Sequence, residues 1–207
     1  MAETGAPVVV KLGGSFAYSA HLQDWIEALA ACAGRVVIVP GGGPFADAVR
    51  AAQQRMGFDD HAAHHMAILA MEQFGRALIS LHDRLTPADT ATAIHERLAA
   101  NLVPVWMPAR MVLADDGISP SWDITSDSLA AWLAGRIGAN RLFLIKHIKL
   151  RSGRVRCNDL VADGVVDKLF ARHLEAIEAA TFIFGPNDQG AALAAIRDGA
   201  AIGIAVQ

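Results

Sequence analysis

The chain has 207 residues, 53% of them hydrophobic and 19% charged, with a formal net charge of -3. That balance excludes a disordered chain, and the slight acidity excludes a protein built for general adhesion to nucleic acid or to an anionic membrane. No apolar run reaches the roughly 20 residues of a membrane-spanning helix, and Met1-Ala2-Glu3-Thr4 lacks the basic and apolar segments of a secretory leader, so the expected location is cytoplasmic.

Only two cysteines occur, Cys32 and Cys157, neither in a CxxC or zinc-type spacing, and both are read as reduced thiols. In chain order, Val8-Val9-Val10 opens a β-branched run that stops at Gly13-Gly14, and Val36 to Val39 repeats the pattern before Gly41-Gly42-Gly43. Both read as buried parallel strands feeding glycine turns. Between them Leu22, Trp25, Ile26, Leu29 and Ala33 fall at helical spacing. Phe45 to Met56 reads as a helix with Pro44 in its first turn, which puts the second glycine turn at a helix N-terminus.

Further on, Asp60 to Leu81 and Thr90 to Ala100 read as helices and Val103 to Trp106 as a strand. Asp115-Asp116-Gly117 marks a turn and Pro120 a break, and Ser126 to Ile137 is the next helix. Leu142 to Ile145 is a buried strand, and the basic stretch Lys146 to Arg156, with Ser152-Gly153, suggests a hairpin or loop. The chain closes with a helix over Lys168 to Ala180, a strand over Thr181 to Phe184, a helix over Gln189 to Arg197 and a strand over Ala201 to Val206. Alternating strands and helices predict an α/β protein, a mostly parallel sheet with helices on both faces, in a single domain over 1–207.

Three segments carry chemistry. In Lys11-Leu-Gly13-Gly14-Ser15, glycines after a strand let backbone N–H groups approach an anion, and the strand-end lysine can reach phosphate oxygens; a plain strand-to-helix turn explains the same residues. The order is not that of a Walker A loop. Pro40-Gly41-Gly42-Gly43-Pro44 has more glycine than a tight turn needs, which points either to a backbone surface for an acceptor substrate or to a crowded crossing of strand and helix. In Asp123-Ile-Thr125-Ser126-Asp127-Ser128, one residue caps the following helix, and the surplus of polar side chains suggests a site beside the helix start.

The order V-x-K-x-G-G-S, V-I-V-P-G-G-G-P, D-I-T-S-D-S-x-A-A, and then G-V-V-D-K after a further strand, resembles the amino acid kinase superfamily, from Val8 to Val206. The resemblance implies a three-layer αβα sandwich of the carbamate kinase type, with an acceptor-binding half over about 1–120 and an ATP-binding half over about 121–207. It implies that Lys11 and, from Gly164-Val-Val-Asp-Lys168, Lys168 neutralise the transferring phosphoryl group, while Asp127 orients both lysines. It places Gly13, Gly14, Ser15, Thr125 and Ser126 against ATP, and Gly41, Gly42, Gly43 and Asp123 against the acceptor. ATP with Mg²⁺ and no protein-bound metal is the implied cofactor set, and a homo-oligomer, dimer or hexamer, the implied assembly. Phosphoryl transfer mostly needs positioning and charge stabilisation, which fits two lysines tethered by one carboxylate. Ile145-Lys146-His147 departs from the acidic turn common at this point in the family, and Lys146 is placed to meet ATP phosphate.

The short length and the helix from Asp60 to Gln73 are most similar to the small methanofuran-biosynthesis branch, whose acceptor is [5-(aminomethyl)furan-3-yl]methyl phosphate. Another phosphate- or carboxylate-acceptor kinase (uridylate, isopentenyl phosphate or acetylglutamate kinase-like) is the alternative, and a non-catalytic anion-storage protein the rival. His61, His64 and His65 leave acceptor contact, metal binding and plain packing open, because two histidines four apart without a third ligand do not define a metal site. Of the tryptophans only Trp122, beside Asp123, has a claim on the site.

Overall fold

The computed structural model describes residues 5–148 and 153–207. Its strands are β1 (Val8–Leu12), β2 (Val36–Pro40), β3 (Leu85–Ala88), β4 (Val103–Trp106), β5 (Arg141–Ile145), β6 (Arg154–Val155), β7 (Ala180–Phe184) and β8 (Ile204–Val206). The helices are α1 (Leu22–Ala30), α2 (Gly43–Met56), α3 (Asp60–Ile79), α4 (Ala91–Ala99), α5 (Ala109–Val112), α6 (Ser126–Arg136), α7 (Cys157–Ala162), α8 (Phe170–Glu175) and α9 (Gln189–Asp198), with a 3₁₀ turn over Gly14–Tyr18.

The strands form one sheet in the order β3-β4-β2-β1-β5-β7-β8-β6. Neighbours run parallel except β7 and β8. Period-2 alternation divides the core between its faces. Val9, Val37, Val39, Leu142 and Leu144 pack with Leu129, Leu133 and Phe170 on one side. Val8, Val10, Leu12, Ile38, Phe143 and Phe184 pack with Trp25, Leu29, Phe74 and Ile196 on the other. That is the three-layer αβα arrangement.

Several elements differ from expectation. β3, Leu85-Thr86-Pro87-Ala88, is a strand the sequence conceals, because proline inside a run argues against a strand; at the sheet edge its missing N–H breaks no ladder. The basic stretch yields β6, paired in parallel with β8, while residues 149–152 of the expected hairpin or loop lie outside the described residues. The helix expected from Lys168 to Ala180 is only α8, preceded by an unanticipated α7, and the last strand begins at Ile204 rather than Ala201.

Topology places the site. From β1 the chain proceeds to β2 on one side, whereas β5 lies on the other side of β1 and is followed outward by β7. In open α/β sheets a ligand crevice forms at such a switch, beyond the carboxyl ends of the strands. Leu12 and Ile145 are the last residues of β1 and β5 and are direct partners.

Candidate active site

At this crevice the two glycine turns lie backbone against backbone. A Cβ on Gly14 would sit 2.2 Å from the Gly43 nitrogen, and one on Gly41 would sit 2.3 Å from the Gly14 nitrogen. Gly43 also takes a left-handed φ of 54°. The glycines are therefore demanded by a crossing, of turn on turn rather than strand on helix. The same close approach leaves Gly14, Gly42 and Gly43 facing a cleft. Gly43 opens α2, whose first N–H groups have no partner within the helix. Gly13 closes the other side, donating its N–H to the Ile145 carbonyl at 3.1 Å.

Behind the glycine turns is a buried charge cluster. Lys11 Nζ stands 2.9 Å from Asp127 Oδ1, and Lys146 Nζ stands 2.6 Å from Asp127 Oδ2; the side chains are 6%, 12% and 6% exposed for Lys11, Lys146 and Asp127. Lys146 Nζ also donates to the Val165 carbonyl at 2.6 Å. Asp127 lies in the first turn of α6, where the helix dipole favours a carboxylate. Burial alone would raise its pKa, but Lys11 and then Lys146 outweigh burial and hold it below the usual carboxylate range. Burial and the neighbouring Lys11 charge push Lys146 down to about 8, against the pull of Asp127 and Asp167.

The start of α6 is fixed from elsewhere in the chain. Its N-cap residue Thr125 makes no side-chain cap of its own. Instead Asp167 accepts from Thr125 N at 2.9 Å, Thr125 Oγ1 at 2.8 Å, Ser128 N at 3.0 Å and also Ser128 Oγ. The next residue, Lys168, pairs with Asp123 at 2.7 Å, and Leu169 N donates to the Asp123 carbonyl at 3.1 Å. Val165 to Leu169 is thus a strap across the base of α6.

The cleft has a volume of about 310 Å³. Ile68, Met71, Ile124 and Leu129 give it an apolar floor, and Asp47, Arg50, His64, Ser121 and Trp122 bring polar groups. Arg50 stacks 4.3 Å from the centre of the Trp122 ring, whose Nε1 donates to Gln53 Oε1 at 2.7 Å. His64 is buried, and burial lowers its pKa against the opposing bond to the Ser121 backbone. His61 and His65 are exposed and share with His64 a separate hollow that includes Asp115 and Asp116. No cluster of three or more His, Cys, Asp or Glu among the described residues is placed to hold a metal ion.

Of the residues expected here, Gly14, Ser15, Gly42, Gly43, Thr125 and Ser126 line the cleft, and Gly41 is buried in the turn behind it. Lys11, Asp127 and Lys146 form the cluster. One pairing differs. The expectation put Lys168 on Asp127 beside Lys11, whereas Lys146 occupies that position and Lys168, 75% exposed, holds Asp123. The reason is topological: Lys146 directly follows β5, the hydrogen-bonded neighbour of β1, while Lys168 sits on the strap next to Asp123. Asp123 itself does not line the cleft. Sequence reasoning missed Asp167, although it lies inside the G-V-V-D-K motif, and it missed Asp47 and Arg50, whose only signal is their position about one and about two helical turns after Gly43.

The chain is 26% identical over 175 residues to the [5-(aminomethyl)furan-3-yl]methyl phosphate kinase of Methanocaldococcus jannaschii, spanning 78% of this chain and 80% of that protein. The fold matches uridylate kinase from Archaeoglobus fulgidus with a TM-score of 0.73 at 21% identity, over 97% of this chain and 100% of the other. UMP kinase from Ureaplasma parvum matches with a TM-score of 0.70 at 15% identity, over 98% and 99%. The family model described as the amino acid kinase family matches residues 6–149, which include both glycine turns, Asp127 and Lys146. With that match over most of its length, the chain belongs to the amino acid kinase family and is a kinase.

Proposed function

We propose that the protein uses ATP to phosphorylate a small phosphate monoester, [5-(aminomethyl)furan-3-yl]methyl phosphate, to its diphosphate in the synthesis of a methanofuran-type one-carbon carrier. The observation that carries the transfer chemistry is the cluster of two buried ammonium groups on a single carboxylate. Its surplus positive charge, shielded from water beside open backbone N–H groups, suits an anion such as a transferring phosphoryl group.

In this reading an acceptor phosphate oxygen attacks the γ-phosphorus of ATP, the bond from that phosphorus to the β–γ bridging oxygen breaks, and ADP leaves. A phosphate monoester is largely dianionic near neutral pH, so no general base is needed. Lys11 and Lys146 stabilise the equatorial oxygens, Asp127 holds the lysines, and Gly14 and Ser15 supply donors to the triphosphate, while the Gly13 N–H, expected there too, stays on the Ile145 carbonyl. Lys168 stays on the rim with Asp123. Mg²⁺, arriving with the nucleotide, would supply further neutralising charge, with Lys11 and Lys146 as the chain's own cations beside it.

The acceptor reading rests on the 26% identical relative and on the cleft. Arg50 offers a cation to the acceptor phosphate, Trp122 and the aliphatic floor offer a surface to a small ring, and Asp47 offers a carboxylate to an amine. The half-and-half division is refined in this reading, since Ser121 to Leu129 of the ATP-binding half form one wall of the acceptor cleft. The test is ADP release from ATP with [5-(aminomethyl)furan-3-yl]methyl phosphate, UMP, isopentenyl phosphate and N-acetylglutamate. The aminomethylfuran phosphate should give the highest kcat/KM; a higher value with UMP or another acceptor would overturn the acceptor assignment.

A further inference from the structure

Asp167 is unusual among the carboxylates of this protein. It lies outside the cluster, yet one side chain accepts two backbone N–H groups and two hydroxyls, all from the first residues of α6. Thr125 and Ser128 are each held by backbone and side chain together, so both the position and the rotation of that first turn are set. Asp127 lies between these two anchors. The strap is tied back to the cluster by the bond from Lys146 Nζ to the Val165 carbonyl, and to the loop before α6 by the Lys168–Asp123 pair and the bond from Leu169 N to the Asp123 carbonyl.

A helix-capping role alone would need less. A capping side chain ordinarily satisfies one N–H and comes from the residue that begins the helix. Here the cap is supplied from a segment about forty residues downstream. The donor set therefore couples three things: the aim of the Asp127 carboxylate, the reach of Lys146 and the seating of the strap.

We propose that Asp167 is a positioning residue for phosphoryl transfer, which fixes the Asp127 carboxylate between Lys11 and Lys146 through the α6 start. This rests on the cluster being the phosphoryl clamp. The charged groups around Lys146 are Lys11 on β1, Asp127 on α6 and Asp167 on the strap. Asp167 also acts on His173 of α8 and on Cys157.

The experiment compares wild type with Asp167→Asn, which keeps the size but removes the charge and turns one acceptor into a donor. Thermal unfolding is followed together with calorimetric ATP affinity from pH 6.5 to 9.5 and steady-state kinetics with [5-(aminomethyl)furan-3-yl]methyl phosphate. In wild type, ATP binding should weaken as Lys146 loses its proton near pH 8. Asp167 favours the protonated form, so in the variant this transition should move to lower pH by about half a unit or more. The kcat should fall roughly 30-fold while KM for the acceptor stays within about threefold, as for a loss felt mainly in the transition state.

A lowered melting temperature with an unmoved pH transition and wild-type kcat would overturn the proposal and leave Asp167 a structural cap. Should Asp167→Asn fail to fold, Ser128→Ala removes one hydroxyl bond and keeps the charge. It should lower kcat roughly threefold without moving the pH transition, and an unchanged kcat would overturn the proposal. Lys11→Ala serves as the control for the underlying reading. If it retains wild-type turnover, the clamp itself is refuted; if it is inactive while Asp167→Asn behaves as wild type, only the role of Asp167 is refuted.

Discussion

Both ends of the sheet gather cations, and they use them in opposite ways. Beyond the carboxyl ends of β1 and β5, Lys11 and Lys146 share Asp127. At the amino ends of β1, β2 and β5, Arg35, Arg141 and Arg197 line a hollow of about 600 Å³. There each guanidinium is committed to backbone carbonyls. Arg141 donates to Ala195 and Gly199, Arg35 to the Arg197 carbonyl, and Arg197 to Ala31. Those acceptors lie at the ends of α1 and α9, where helix carbonyls lack partners and the dipole favours a cation. Under the proposed function, surplus charge marks the working end, and spent charge marks the supporting end.

The largest effects should fall on the upper cluster and should separate activity from stability. Lys11→Ala removes one cation but leaves a neutral Lys146–Asp127 pair, so kcat should drop about a thousandfold or more while the protein stays folded. Asp127→Ala leaves two buried ammonium groups facing each other, and it should lose both activity and stability, by about 3 kcal/mol. Steady-state kinetics and denaturant titration of the two variants test this. Equal destabilisation by both would mean that the cluster is a structural ion pair and would erase the contrast between the two ends.

Next in size is the contrast between Lys146 and Lys168. Lys146→Ala should cost kcat roughly a thousandfold and Lys168→Ala no more than about tenfold, because an exposed pair contributes little. The reverse order would show that Lys168 leaves Asp123 during turnover. The pH profile gives an independent readout. Lys146 has a native pKa of about 8 against an ordinary 10.5, so turnover should decline as pH rises through about 8. Between those two values the unfolded chain binds the extra proton, so the contribution of Lys146 to stability should rise with pH there while activity falls. Asp127 acts at the acid end, where its stabilisation is complete above the ordinary value of 3.8 and is lost as pH falls through its lower native value.

The glycine turns and the strands feeding them were legible in the sequence because local signals specify them. A β-branched run read to its last valine at Val39 predicts β2, and no side chain fits where Gly14 meets Gly43. The polar surplus from Asp123 to Ser128 was legible for a similar reason, and within it the resemblance to the kinase family singled out Asp127. What could not be read is which distant charge meets it. Lys146 and Lys168 lie 22 residues apart in the chain, and only the adjacency of β5 to β1 decides between them. The same limit hid Asp167, whose four donors come from a different segment, and hid β3, whose proline is harmless only because the strand is at an edge. Arg50 and His64 belong to helices that their sequences predict well, but a helical period does not say which face closes a cleft.

The smallest predicted effect bears on the supporting end. Arg141 is half-buried and bonds two carbonyls near the C-terminus of α9, one of them Gly199 at 2.8 Å. Charge-assisted bonds of this kind are worth about 1 to 3 kcal/mol, and partial exposure trims them, so Arg141→Ala should lower stability by roughly 1 to 2 kcal/mol. For a chain of this size that corresponds to a melting temperature lower by about 3 to 6 °C. Turnover and ATP affinity at 25 °C should stay within about twofold of wild type, since the residue lies at the opposite end of β5 from Lys146. Arg35→Ala, which removes one exposed bond, should fall below even that. A loss of ATP or inorganic phosphate binding on Arg141→Ala without a change in melting temperature would reverse the comparison, because the lower guanidiniums would then be holding an anion rather than the ends of α1 and α9.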